Sequence, residues 1–372
     1  MESAGLNSEV LAGGKKFHVQ TNYLEPVKKI VSTIYEDGKV LFKKEVQFQE
    51  KDIGETVREQ IASIHKEMIS EIELLFYIAE KVKTIRHASS NNKLGLVFLQ
   101  KNLYDEARRE FERAIALDAD FIESYKNLGL VHYEIGELEQ AEKILRTGIE
   151  RHGDYPDIHN ALGRVYSKQL MYKQALGEFD KALELNKNYV EVHYNIVLAI
   201  LRSIISNSSE DDLPDTEQRK NLALDHLQKA EKYIDSDTLI EAYEYFDEDD
   251  IENTLKVLEK IEGVNTLESI NSFENEFYLK FMFGGKGKDD KFFSEHIDRL
   301  KDAIKKFPYY ADLRNYLGIA YLIQCRNLFL NALDEFRQAL KINPKYKKAE
   351  KNLKLAENDG KGFLILLRAI LK

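Results

Sequence analysis

Three consecutive stretches of equal length decide the fold: ASSNNKLGLVFLQKNLYDEARREFERAIALDADF (88–121), IESYKNLGLVHYEIGELEQAEKILRTGIERHGDY (122–155) and PDIHNALGRVYSKQLMYKQALGEFDKALELNKNY (156–189). Laid over one another, they superpose Leu94-Gly95, Leu128-Gly129 and Leu162-Gly163, each pair 34 residues after the last. Ala107, Ala141 and Ala175 share a second phase, Phe111, Leu145 and Phe179 a third, and Ala114, Gly148 and Ala182 a fourth. A fixed period of this length marks stacked supersecondary units. Two antiparallel helices approach closely only where side chains are small, and bulky apolar residues must fill the space beside each close contact. One hairpin cannot bury its own apolar face, so hairpins of this kind stack on one another.

This pattern resembles the tetratricopeptide repeat (TPR), which has small residues at positions 8, 20 and 27 of its 34 and large ones at 4, 7, 11 and 24. The resemblance implies a mainly α protein, a right-handed superhelical α-solenoid of helical hairpins. A fourth unit begins at Val190, with His193, Ile196 and Ile200 at large positions. Its second helix resumes at Ala223, Leu227 and Ala230, 14 residues later than the frame places it. The intervening SNSSEDDLPDTEQ reads as a surface loop. A degenerate unit follows over about 235–268, carried by Ala242, Tyr245, Thr254, Leu258 and Ile261. A helix over 290–306 ends at Phe307-Pro308. Leu317-Gly318, Tyr321, Ala332, Phe336, Ala339 and Pro344 then suggest a last hairpin with a turn two residues longer than usual. The lysine-rich stretch 345–357 reads as the polar capping helix of a solenoid.

The flanks differ. FHVQTNY and KIVSTIY are β-branched and aromatic, and Glu36-Asp37-Gly38-Lys39 is a hairpin turn before VLFKKEVQF, so three strands are expected. They loosely resemble a short N-terminal module of bacterial repeat proteins. A small meander is unstable alone and needs a packing surface. Ile53, Val57, Ile61, Ile64, Met68, Ile72, Leu75, Ile78, Val82 and Ile85 step by three or four, predicting a helix over 53–86. This stripe fits a coiled-coil seam joining two copies, an intramolecular surface for the meander and first repeat, or a surface for another protein. At the far end FLILLRAILK is short and very apolar; it either folds back on the last repeats or docks on a protein or membrane surface, as ten residues cannot span a bilayer. The expected organisation is a β module over 1–52, a long amphipathic helix over 53–87, repeats over 88–357 with an insertion at about 203–219, and a linker with an apolar helix over 358–372.

Composition narrows the function. A net charge of −10, with 54 basic against 64 acidic residues, disfavours nucleic acid as a partner. A single cysteine, Cys325, excludes an intramolecular disulfide and is expected to be a buried small hydrophobe. No apolar leader opens the sequence, and a cytoplasmic location is expected. Gly284-Gly285-Lys286-Gly287-Lys288 lacks the phosphate-loop spacing and reads as a loop. His132, His159 and His193 fall on large repeat positions, where packing explains them better than a metal does. Phe246-Asp247-Glu248-Asp249-Asp250 lacks calcium-loop spacing and fits a turn leading into a helix over 250–262. No constellation for catalysis, cofactor or metal emerges, so a non-enzymatic role is expected.

Binding remains. The resemblance implies that the first helix of each unit lines a concave groove through positions 2, 5, 9, 12 and 13. On this chain these include Asn92, Leu96 and Gln100, then Glu123, Lys126, Leu130, Tyr133 and Glu134. They continue through Asp157, Asn160, Arg164 and Lys168 to Glu191, Tyr194, Leu198 and Arg202. Both charge signs and aromatic anchors suit a peptide or helix of a protein partner. The clamp that some repeat proteins close on chaperone carboxylate tails is not expected, because Asp157 stands where a cation is needed. The alternative reading is an accessory factor of a membrane-associated bacterial machine (pilus, motility or secretion) attached through 363–372.

Overall fold

The computed structural model describes residues 5–48, 57–206, 213–231, 236–262, 266–285, 289–306, 311–342, 344–345 and 347–370, and the chain forms two compact units, Met1–Leu279 and Lys280–Lys372. The first unit opens with an antiparallel sheet of four strands in sequence order, β1 (Gly5–Ala12), β2 (Lys15–Leu24), β3 (Lys29–Glu36) and β4 (Lys39–Gln47). Three strands were expected. The additional one, β1, pairs Val10 with Phe17 across the Gly13-Gly14 turn, where φ is 59° and 79°. Its sequence, GLNSEVLA, carries little β-branched character and gains its strand from this pairing. The Asp37-Gly38 turn lies where the sequence places it, with φ of 49° and 78°, the mirror-image turn geometry that matches strand twist.

One face of the sheet is apolar because side chains alternate. Phe17, Val19, Ile30 and Ile34 are fully buried, and α1 (Val57–Lys83) lies across them. The long stripe is thus spent within the chain. Ile61, Met68, Ile72, Ile78 and Val82 are all at most 2% exposed. Ile53 falls outside the described residues, and Ile85, beyond the end of α1, is 44% exposed. Beneath the sheet a polar cluster replaces part of the apolar contact. Thr21 Oγ1 lies 2.7 Å from Ser32 Oγ and 2.8 Å from His65 Nδ1, while His65 Nε2 lies 2.8 Å from Ser8 Oγ. Burial holds the His65 imidazole below its usual range, with the charge of His18 adding to the effect.

Sheet and α1 together seat the first repeat. Phe17, Phe76 and Phe98 form a chain of rings at 5.5 and 5.6 Å from β2 through α1 into α2 (Ala88–Gln100). Lys15 bridges Glu36 at 2.7 Å and Glu106 of α3 (Tyr104–Leu117) at 2.9 Å. Asn102 donates to the Leu41 carbonyl at 2.6 Å. The β module therefore closes the N-terminal end of the stack.

Four helical hairpins follow in the expected frame: α2/α3, α4 (Ile122–Glu134)/α5 (Leu138–His152), α6 (Pro156–Lys168)/α7 (Tyr172–Leu185) and α8 (Val190–Ile205)/α9 (Thr216–Ala230). At position 8 a Cβ on Gly95, Gly129 or Gly163 would stand 2.6, 2.7 or 2.5 Å from Phe111, Leu145 or Phe179. At position 15 the turn of each of the first three pairs is left-handed, with φ of 56° at Asn102, 83° at Gly136 and 64° at Leu170. The insertion after α8 is confirmed by the late start of α9, whose Asp215 and Gln218 form a reciprocal cap; residues 207–212 fall outside the described ones.

The fifth pair, α10 (Ser236–Asp247) and α11 (Ile251–Glu262), keeps the internal pattern. Ala242, Thr254 and Leu258 are fully buried, and Asp249 takes the left-handed turn at φ 60°. Asp250 caps α11 by accepting from the Asn253 amide at 3.0 Å, the structural role read for the acidic run. Its stacking departs from the repeat rule, since α11, a second helix, packs on α8, a first helix. Helix α12 (Thr266–Met282) follows.

The second unit contains α13 (Asp290–Lys306), α14 (Ala311–Ile342) and α15 (Lys347–Ile370). Two expectations are corrected here. The last hairpin is a single helix of 32 residues, α14. Cys325 occupies the position at which Asn102, Gly136 and Leu170 turn, and AYLIQCRNLFLNALDE (320–335) holds no glycine or proline to break the helix. Gly318 accordingly faces nothing within 4 Å, and Cys325 is exposed rather than buried. The expected linker at 358–362 is likewise helical, since α15 runs through it unbroken. The side chains of 363–370 and residues 371–372 fall outside the described ones, as do Lys286-Gly287-Lys288 of the glycine-rich run. Among the described residues no helix is long and apolar enough to cross a membrane.

Candidate functional site

The first helices α2, α4, α6 and α8 pack side by side, which brings the sequence-derived groove residues onto one row of helices. Buried amides knit the row. Asn127 Nδ2 donates to Asn92 Oδ1 at 2.9 Å, and Ser124 Oγ donates to the same oxygen at 3.2 Å. Two units on, Asn195 donates to Asn160 Oδ1 at 2.8 Å, and Asn160 donates to Glu191 Oε1 at 3.0 Å. Asn92 and Asn160 are therefore joints between units rather than open contacts, a use that the repeat positions alone did not reveal.

Between α4 and α6 the arrangement is cationic and aromatic. Tyr133 is 8% exposed, with Lys168 Nζ 4.2 Å and the Arg164 guanidinium 5.0 Å from its ring centre. Lys168 also donates to the Tyr133 carbonyl at 3.0 Å. Cations held over a ring in this way attract it electrostatically and fix its edge. Lys126 pairs with Asp157 at 3.5 Å. Glu123, Glu134, Asp157 and Lys168 are exposed, and Lys126 and Arg164 are half-buried. Glu123, Asp157 and Glu191 stand in the first turns of α4, α6 and α8, where the helix dipole stabilises a carboxylate.

The fourth unit differs. Tyr194 donates its hydroxyl to the Leu258 carbonyl, and Arg202 bonds Glu259 at 3.0 Å, both on α11. These two groove positions are engaged within the chain. The sequence flagged α11 as a helix, but nothing in its pattern states which face of α8 it meets.

The three histidines at large positions are held apart, each with a partner inside its own hairpin. His132 Nδ1 lies 2.7 Å from Glu137. His159 sits 2.6 Å from Glu178 and 3.2 Å from Asp154; burial opposes its charged form, but these carboxylates outweigh it and raise its pKa. His193 Nδ1 lies 2.9 Å from His226 Nδ1, and burial lowers both, His226 to about 4, with each opposing the other's charge. In the unfolded chain a histidine titrates at about 6.5. The folded pair thus binds fewer protons below that pH, and its stability contribution falls as pH drops from about 6.5 towards 4. Allowing for residual solvent access the loss is ~1–2 kcal/mol, a fall in Tm of about 2–6 °C. Melting curves between pH 7.5 and 4.5 should show this slope in the wild type and a shallower one in His226→Gln. Identical slopes would remove the pair as its source.

Comparison with known proteins agrees with this geometry. Residues 95–136 match a family described as TPR repeat, and residues 156–189 one described as tetratricopeptide repeat. The chain carries tetratricopeptide repeats. It is 33% identical over 97 residues to tetratricopeptide repeat protein 7B of Homo sapiens, covering 26% of this chain and 12% of that protein. It is 24% identical over 164 residues to the anaphase-promoting complex subunit CDC16 of Saccharomyces cerevisiae, 38% of this chain and 20% of that one. The chain thus spans a fifth or less of these relatives. Among solved structures, MamA matches at 19% identity with a TM-score of 0.36, covering 49% of this chain and 100% of that one. YrrB, described as a TPR protein with an unusual peptide-binding site, matches at 15% identity and a TM-score of 0.32, over 51% of this chain and 95% of that one. TPR proteins generally mediate contacts between proteins.

Proposed function

We propose that this chain is a non-enzymatic scaffold that holds a peptide or helix of a partner protein on the concave row formed by α2, α4 and α6. The observation that supports it best is the contiguous surface of α4 and α6. Tyr133, stacked beneath Arg164 and Lys168, is flanked by exposed Glu134 and Asp157. Aromatic and arginine side chains at the centre of a patch, ringed by charges of both signs, are the composition of a protein-binding hot spot. The pre-stacked cations cost little further ordering when a partner arrives.

The test is reversal of two exposed charges, Glu134→Lys with Lys168→Glu, in the full chain. Affinity capture from the source cells, read by quantitative mass spectrometry, should recover a defined partner with wild type and at least tenfold less with the variant, at equal melting temperature. Undiminished recovery would refute the groove as the binding surface.

A further inference from the structure

Beyond the partner-facing charges, the row has a resident occupant. Helix α11 takes two groove positions of α8, through Tyr194 on Leu258 and Arg202 on Glu259. The end of α12 meets α2 instead. Lys93 donates to Asn275 at 3.4 Å and lies 5.2 Å from the Tyr278 ring centre, and Lys101 lies 3.8 Å from Glu276. Asn275, Phe277 and Leu279 are 8%, 6% and 1% exposed. Between Glu259 and Asn275 the chain therefore returns from the fourth first-helix to the first. The span fits: three spacings of packed helices are about 24–30 Å, and the 17 residues of α12 extend about 25 Å at 1.5 Å each.

We infer that α11–α12 is a strap across the concave row, and that the partner is an amphipathic helix presenting the acidic and aromatic face that residues 274–279 present in cis. This rests on the scaffold reading above and names the partner's chemistry. Three features of ENEFYL (274–279) carry it. Glu274 and Glu276 set carboxylates against Lys93 and Lys101; the Glu274 charge acts against a burial that otherwise pushes the Lys93 ammonium down. Tyr278 offers a ring to Lys93. Phe277 and Leu279 supply the buried apolar contacts. A surface that already accepts such a helix accepts another one with the same face, once the first is displaced. A groove competent for only a fraction of the time binds an incoming ligand more weakly by that same fraction.

The probe is a fluorescein-labelled peptide of residues 266–282, titrated against the full chain and read by anisotropy. Wild type should bind it at least tenfold more weakly than Glu276→Lys/Tyr278→Ala, in which the strap is loosened. Adding Lys93→Glu to that variant should abolish the gain, because the peptide loses the same contact. Arg202→Glu, which opens the α11 end without touching α12, should also strengthen binding and serves if the first variant fails to fold. Equal affinity for wild type and both opened chains, or binding indifferent to Lys93→Glu, would overturn the strap. If opened chains bind no peptide while charge reversal on α4 and α6 still abolishes partner capture, the strap is refuted and the scaffold reading stands.

Discussion

Phe179→Ala should destabilise the repeat stack by ~3–5 kcal/mol, the range for truncating a buried phenylalanine, while Gly163→Ala should cost ~1–3 kcal/mol through overpacking. The double variant should cost less than their sum. Phe179 is fully buried, and its ring stands 2.5 Å from where a Cβ on Gly163 would be. A methyl at 163 is a clash in the presence of the ring and a partial filling once the ring is gone. Contacting residues couple by about 0.5–3 kcal/mol in such cycles, and here the sign is fixed by geometry. Gly318 supplies the control. It follows a leucine at the same phase, yet nothing lies within 4 Å of its would-be Cβ. Inside a helix alanine is preferred over glycine by about 1 kcal/mol, so Gly318→Ala should stabilise. Urea unfolding monitored by circular dichroism measures all four variants, and additivity of the Gly163/Phe179 pair would refute the contact.

The same pair of glycines shows why part of the fold was legible and part was not. Leu-Gly at a 34-residue spacing identifies a helix that needs a close neighbour, and three times the neighbour is there in the predicted frame. At Leu317-Gly318 the helix-packing signature persists while the turn signature has gone, and the backbone follows the turn. A period reports side-chain packing; chain reversal depends on one residue that tolerates a left-handed conformation. The candidate site divides likewise. Repeat phase placed Lys126, Tyr133, Arg164 and Lys168 on one surface, since neighbouring first helices repeat the same geometry. Engagement of Tyr194 and Arg202 by α11 was illegible, because it depends on how the fifth hairpin docks, a contact between segments about 60 residues apart. The stripe of α1 was legible as buried, but amphipathicity states that a face is covered and never by what.

Gly13→Ala should destabilise the N-terminal module by ~2–5 kcal/mol, and Gly14→Ala by ~1–2 kcal/mol, although both glycines have positive φ. The smaller figure is the cost of a left-handed backbone for an alanine, and at Gly14, where φ is 79° and no atom lies within 4 Å, nothing is added to it. At Gly13, with φ 59°, a Cβ would stand 2.1 Å from the Phe76 ring. That ring cannot yield cheaply, since it is 8% exposed and packs between Phe17 and Phe98. Overpacking of this kind adds ~1–3 kcal/mol. The hairpin must then lift from α1, which removes Ser8 from His65 and exposes the edge of β2. Hydrogen exchange should therefore accelerate across β1 and β2 in Gly13→Ala, with α4 to α7 unchanged, and remain near wild type in Gly14→Ala. The pairing of β1 with β2 is what closes the sheet over α1, and a sheet of β2, β3 and β4 alone leaves Val10 and Ala12 without a place in the core. Equal exchange in the two variants would mean that the turn, and not its seat on Phe76, carries the glycine requirement.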